Sequence, residues 1–340
     1  MNRLIKILRY FFIFLLGCLF FFGMGMSSFA YAQEKPLEHV KFMMEWYPSK
    51  VESYTPYVVA IDKGYFKEEG LEVELVPGKG STVSVQIVAA KECNFGNADA
   101  TTALIARSKG APIVVLAVIN QSPTVGVYSF KSANIKSPKD LIGKKVATEL
   151  TSKKHAQFLG FLKKQGIDPD KITFIPITGG GELTLLLSGK VDATLGMITG
   201  CEPVLKAEKK DYNVMLLKDY GVNIYDNSII TNEEIIKNNP ELVRRLVRAA
   251  LKGVHYTIGH PQEAADIYLK YYSEEARSKR ESVLLTLEVA TTLIKNKVTE
   301  KYGIGYQTQE GWEATQNFAY EGGLIEKKID IKEIYTNNFR

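Results

Sequence analysis

From Tyr57 to Asp99 the chain reads as helix, strand, glycine-rich turn, helix and strand, and it ends on a polar pair, Asn97 and Asp99, at a strand's C-terminal edge. Such alternation demands a mostly parallel sheet with helices packed on it. In open α/β sheets, ligands settle at that edge. The stretch supplies no nucleophile, metal cluster or paired acid and base. It therefore points to a receptor for a small molecule rather than a catalyst.

The same alternation runs through most of the chain. A strand is expected at about 40–45, and Thr55-Pro56 reads as an N-cap followed by a proline at the first helical position. Ser81 is expected to cap a helix over 82–90, and the unbroken apolar run Ile113–Ile119 suits a buried parallel strand. Val125–Phe130 reads as a strand leaving the first block. Ser137–Gly143 makes a capped turn, and the pattern then repeats through 217. Asn227–Thr231 reads as the return crossing, and the remainder is mostly helical. The expected architecture is α/β with two lobes. Residues 33–130 plus 228–340 form one lobe and 131–227 the other, with two hinge crossings and a ligand cleft between them.

Arg3, Lys6 and Arg9 precede an apolar run from Tyr10 to about Phe22, then small residues and Ala30-Tyr31-Ala32. This is the layout of a secretory signal peptide over residues 1–32, cleaved after Ala32. An uncleaved anchor helix is the alternative, although the run is short for a span and is broken by Gly17, Gly23 and Gly25. Leu15-Leu16-Gly17-Cys18 also has the form of a lipoprotein box, which would make Cys18 a lipid anchor. The mature chain would carry 40 Lys plus Arg against 38 Asp plus Glu with the signs interspersed, so no nucleic-acid partner is expected. Its two cysteines, Cys93 and Cys201, are far apart in sequence, and either free thiols or a bridge remain open. No metal or other cofactor is expected, and a monomer is the default.

Trp46 with Pro48, Tyr57–Ala60, Lys63-Gly64-Tyr65-Phe66-Lys67-Glu68-Glu69-Gly70-Leu71, Gly78–Thr82, Asn97-Ala98-Asp99, Ser137–Leu141 and Gly143–Lys145 carry a resemblance. They resemble the periplasmic solute-binding proteins of ABC importers, which implies a two-lobed periplasmic binding protein fold of the type II-like kind. The likeness is to the branch that includes binders of thiamine pyrimidine precursors and, more distantly, the nitrate, sulfonate and taurine binders. The resemblance implies capture of a small organic molecule by lobe closure and delivery to an ABC permease and its ATPase. The ligand it implies is a pyrimidine or related heterocycle, with a small anion of the sulfonate type as the alternative. It further implies a heterocycle-binding glutamate after a strand and glycine. Glu202 in Gly196-Met197-Ile198-Thr199-Gly200-Cys201-Glu202 holds that position, with Ile198 and Thr199 where the branch has aromatics.

Several residues are candidates for ligand contact. Trp46 and Tyr47, with Tyr54 as a companion, offer flat faces for stacking, against an alternative of surface packing. Asn97 offers donors and an acceptor, and Asp99 serves equally as a helix cap. Gln121 and Ser122 follow the buried strand at its ligand-facing edge. Thr151 opens a helix whose free N–H groups suit an oxygen ligand, with His155 one turn in. Gly180 lies in Thr178–Gly181, which permits close backbone approach. Glu202 would accept from ring or amine N–H groups, or else serve the dipole of its own helix. Asn227 is a hinge or cleft residue. Two other classes of function remain open. One is an enzyme, since a eukaryotic relative makes the thiamine pyrimidine with iron and a cysteine-rich run near this region, where Cys201 stands alone. The other is a sensor domain for a membrane partner.

Overall fold

The computed structural model describes residues 36–150, 152–178, 181–276 and 280–340. The expected export segment, Cys18, Thr151 and Gly180 lie outside these residues. The first lobe opens with β1 (Glu38–Met43), α1 (Val51–Asp62), α2 (Tyr65–Glu68), β2 (Leu71–Val76), α3 (Ser81–Ala89), β3 (Phe95–Asp99), α4 (Ala100–Ser108) and β4 (Ile113–Val118). The second lobe contains β5 (Val125–Phe130), β6 (Lys145–Thr148), α5 (Lys153–Lys164), β7 (Thr173–Pro176), α6 (Glu182–Leu187), β8 (Ala193–Met197), α7 (Ile198–Ala207) and β9 (Tyr212–Leu216). The chain returns through β10 (Asn227–Asn232). It then runs through α8 (Glu233–Asn238), α9 (Pro240–Gly259), α10 (Pro261–Ala276), α11 (Arg280–Ile294), α12 (Lys297–Tyr302) and α13 (Gln309–Glu321).

Each lobe is built on a mixed five-stranded sheet, ordered β2-β1-β3-β10-β4 in the first and β7-β6-β8-β5-β9 in the second. The strand that follows each passage between lobes enters its sheet antiparallel: β5 against β8 and β9, β10 against β3 and β4. Val125–Phe130 is therefore the second lobe's own strand, and the first passage falls at 119–124 rather than after Phe130. The sequence alone favoured the earlier block because a mostly apolar strand does not reveal which sheet it joins.

Both faces of each sheet are covered. Phe42, Phe95 and Ile229 of the first sheet pack with Val58, Val59, Leu246 and Val247 on one side; Val115 and Ile230 meet Val88, Leu104 and Trp312 on the other. All six residues of β4 are buried, as its unbroken apolar run suggested, but it lies at the sheet's edge and pairs antiparallel with β10 rather than as a parallel strand. The lobes also touch away from the hinge. Ile198 at the start of α7 packs with Val289 and Leu293 of α11, and Phe318 of α13 meets the second lobe's core, lying against Gly160 of α5. The cleft is thus closed.

Two helix starts differ from the sequence reading. The helix expected at Thr55 begins a turn earlier at Val51, with Pro56 inside it, and the Thr55 hydroxyl donates to the Val51 carbonyl at 2.6 Å instead of capping. Ser81 is the first residue of α3 rather than its cap, because its hydroxyl is committed to Glu45. Helix α9 crosses α1 so closely at Gly253 that a Cβ there would fall inside the van der Waals radius of the Pro56 carbonyl oxygen. Gly253→Ala is expected to cost about 1–3 kcal/mol through overpacking. Gly259→Ala, with open space around it, should cost nothing. Chemical denaturation of the two variants checks this, and equal stability would show that α9 and α1 are not in register as described.

Candidate functional site

The C-terminal edges of β1 and β3, the start of β10 and the N-terminus of α5 converge between the lobes. Two residues beyond β1 lies Glu45, which is buried with its carboxylate turned inward. Its backbone N–H donates to the Asn97 side-chain oxygen at 2.5 Å, and its carboxylate accepts from the Ser81 hydroxyl and, at 3.2 Å, from the Asn227 amide. The Ser81 hydroxyl in turn accepts from the Asp99 N–H at 2.9 Å. One oxygen of Asp99 caps α4 through Thr102 N–H at 3.0 Å, leaving the other free to face the cleft. Asp226, immediately before β10, accepts from the Thr124 N–H at 3.2 Å and hydroxyl at 2.9 Å.

Into this group reaches Lys153, the first residue of α5 in the opposite lobe. Its Nζ lies 3.1 Å from Asp226, 3.2 Å from Asp99 and 3.8 Å from Glu45. Burial pushes the Asp99 carboxyl up to about 6, against the pull of Lys153 and with further push from Asp226 and Glu45. Asp226 is also raised by burial, but Lys153 and the Thr124 hydrogen bonds outweigh that and hold it below the usual carboxylate range. Across the cleft, the Thr199 hydroxyl of α7 donates to Glu52 of α1 at 2.8 Å. Above this floor lies a cavity of about 50 Å³, lined by Trp46, Tyr57, Glu45, Glu52, Asn120, Thr124, Lys153, Met197, Thr199, Asp226 and Asn227, with apolar residues that include Ile119, Val254 and Ile294. It is far below the roughly 300–1,000 Å³ of organic ligand sites, so a ligand needs the lobes to part.

Of the candidates read from the sequence, Trp46 and Asn227 line the cavity. Asn97 and Asp99 stand directly behind it, holding Glu45 and Lys153. Tyr54 is buried and acts through the loop, its hydroxyl donating to the Trp46 carbonyl at 2.9 Å. The other described candidates are not among the lining residues. Tyr47 is half exposed, and Ser122 is partly buried outside the lining. The Gln121 amide donates to the Val118 and Tyr306 carbonyls at 2.9 and 3.1 Å. His155 is turned edge-on to Phe174 at 4.9 Å between centroids, and burial holds its imidazole below the usual range. Glu202 lies one turn into α7, where it pairs with Lys206 at 3.0 Å. Because α7 begins at Ile198, the residue that meets the cleft is Thr199.

Glu45, Glu52, Tyr57, Thr124, Lys153 and Asp226 were missed. Glu45 carried a usable signal, since it directly precedes Trp46 at the same strand edge. Lys153 and Asp226 sit beside candidates but read as ordinary solvated charges. Cys93 and Cys201 are unbridged and buried. Among the described residues no group of His, Cys, Asp or Glu is placed to hold a metal ion, and no helix is long and apolar enough to cross a membrane.

The raised Asp99 pKa has a defined sign. Between about pH 4, where an unfolded aspartate titrates, and about pH 6, the folded protein holds a proton that the unfolded chain has lost. Its contribution to stability is complete below that window and is lost as the pH rises through it. Asp99→Asn keeps the helix cap and is expected to remove this slope. Denaturation midpoints measured from pH 4 to pH 7 check it, and identical slopes in both proteins would refute the assignment.

Comparison with known proteins agrees with the fold. The riboflavin-binding protein RibY of Chloroflexus aurantiacus is 28% identical over 312 residues, covering 89% of this chain and 86% of that protein. A formylaminopyrimidine-binding protein of Halalkalibacterium halodurans is 28% identical over 310 residues, covering 90% and 92%. Other matching relatives, at 24% identity, are named 4-amino-5-hydroxymethyl-2-methylpyrimidine phosphate synthases. Among solved structures, the periplasmic aliphatic sulphonate binding protein SsuA of Escherichia coli superposes with a TM-score of 0.70 at 15% identity, over 87% of this chain and 91% of that one. This is the two-lobed periplasmic binding-protein fold. Residues 52–264 match the family described as NMT1/THI5 like, and the chain belongs to that family.

Proposed function

We propose that this protein is an extracytoplasmic solute-binding protein that captures an aminopyrimidine-type heterocycle by lobe closure and delivers it to an ABC permease. The observation that carries the reading is the cavity wall itself. Trp46 and Tyr57 supply aromatic surface, while Glu45, Glu52 and Asp226 supply acceptors from the first lobe's side of the junction. Exocyclic amino groups and ring N–H groups are donors that such acceptors satisfy, and flat rings suit aromatic walls. The binding-protein relatives take ring systems of this kind by name. Arg3, Lys6, Arg9 and the apolar run before Ala30–Ala32 support export, and delivery to a permease and ATPase follows from that location.

A sulfonate-type anion fits this wall poorly, since the cation lining it, Lys153, is already held by three carboxylates. A binding role is favoured over pyrimidine synthesis by Cys201. It lies behind the cleft, packed with Tyr128, and burial pushes its thiol up to about 12, which leaves it a poor nucleophile or metal ligand at neutral pH.

Thermal unfolding with 4-amino-5-hydroxymethyl-2-methylpyrimidine, its formylamino analogue, riboflavin and taurine tests the reading. The pyrimidines are expected to raise Tm and taurine to leave it unchanged; stabilisation by taurine alone would overturn it. Trp46→Ala should weaken pyrimidine binding by about tenfold or more through lost ring contact. Glu202→Ala should change it less than about twofold, as a surface i,i+4 pair is worth only about 0.3–0.5 kcal/mol. Calorimetric titration of both variants decides whether Trp46 or Glu202 is the recognition residue.

A further inference from the structure

Three carboxylates meet one ammonium on the cavity floor. Glu45 enters from the end of β1, Asp99 from the end of β3 and Asp226 from just before β10, each less than a twentieth exposed. Among the described residues Lys153 alone pairs with them, from the opposite lobe. Glu52 adds a further carboxylate to the lining, where it is engaged by a neutral hydroxyl. Burying carboxylates without equal positive charge is costly. A floor made for Lys153 alone would not need this many; Asp226 and Glu45 add to the upward push that burial already gives the Asp99 carboxyl.

A second observation points to an absent guest. The Tyr57 hydroxyl is buried and lines the same cavity, yet it has no hydrogen-bond partner among the described residues; the Asn97 amide nitrogen behind it is likewise unpartnered. Polar atoms left in this state are rare in folded proteins unless a ligand or water completes them.

We propose that the acidic floor is a specificity site for a positively charged nitrogen on the ligand, and that Lys153 meets only part of its charge requirement. The inference rests on the cavity being the ligand site. It narrows the ligand to a heterocycle bearing a protonated amine, with Tyr57 free to donate to a ring acceptor. Opening withdraws Lys153 with the second lobe and leaves the floor bare for the incoming cation. Closure then brings both ammonium groups against the carboxylates.

Calorimetric titration near pH 7.5 with 4-amino-5-aminomethyl-2-methylpyrimidine, whose side-chain amine is protonated, and with its uncharged N-formyl derivative reads the preference directly. The charged compound is expected to bind at least about tenfold tighter. The gap should narrow several-fold in Asp99→Asn. Equal binding, or tighter binding of the formyl compound, overturns the proposal while leaving a pyrimidine receptor intact.

A second arm needs no heterocycle. In Lys153→Ala, ethylammonium should raise Tm by about 3 °C or more, with ethanol inert and wild type raised by a smaller amount. Rescue without any pyrimidine binding would keep the cation site and remove the pyrimidine reading. Absence of rescue overturns the proposal. If the alanine variant fails to fold, Lys153→Gln replaces it, with the same ethylammonium and ethanol readout.

Discussion

The reach of Lys153 from the first turn of α5 into the carboxylates of the first lobe is the contact on which the closed form depends. Charges buried this deeply are unfavourable singly, because desolvation outweighs attraction unless geometry is good and the remaining lone pairs are satisfied. Here they are largely satisfied. Ser81 and Asn227 hold Glu45, Thr102 holds Asp99, and Thr124 holds Asp226. Those partners sit at the first turns of α3 and α4, at the start of β10 and in the passage between lobes. The ion cluster is therefore a product of the sheet topology, and it couples that topology to the position of the second lobe.

Apolar contacts support the same closure on both flanks. Ile198 against Val289 and Leu293 joins α7 to α11 near the cleft, and Phe318 against Gly160 joins α13 to α5. Together with the Glu52–Thr199 hydrogen bond they leave little empty volume between the lobes. A binding protein needs its closed form to be reachable but not dominant, since a ligand can shift an equilibrium only by its differential affinity for the two states. A floor with surplus negative charge meets that need. It penalises empty closure and rewards closure on a guest.

The sequence carried the fold well. The run from Tyr57 to Asp99 folds in the order its pattern demanded, and β4 is buried along its length as its composition required. The helix start at Thr55-Pro56 misled because proline at an N1 position and proline inside a first turn and a half look alike locally. The cavity lining was legible where topology speaks: Trp46 follows β1 and Asn227 opens β10, with Asn97 and Asp99 of β3 behind them. It was illegible where a charged side chain must cross between lobes. Lys153 reads as one of many surface lysines, and Glu202 held the expected position while its helix began early enough to turn it toward Lys206.

By itself, then, the sequence determined the alternating α/β plan, the two lobes and the edge where a ligand meets them, because these follow from local periodicity and chain connectivity. The tertiary structure alone decided which lobe owns β5, which carboxylates gather beneath the cavity and which lysine answers them. Those are facts of burial and of proximity between residues more than fifty positions apart, and a buried charge cannot be told from a solvated one until its surroundings are assembled. The stretch that ends at Asp99 specifies the receptor fold; the charge of the cavity floor is set by Glu45, Asp99, Asp226 and Lys153 together.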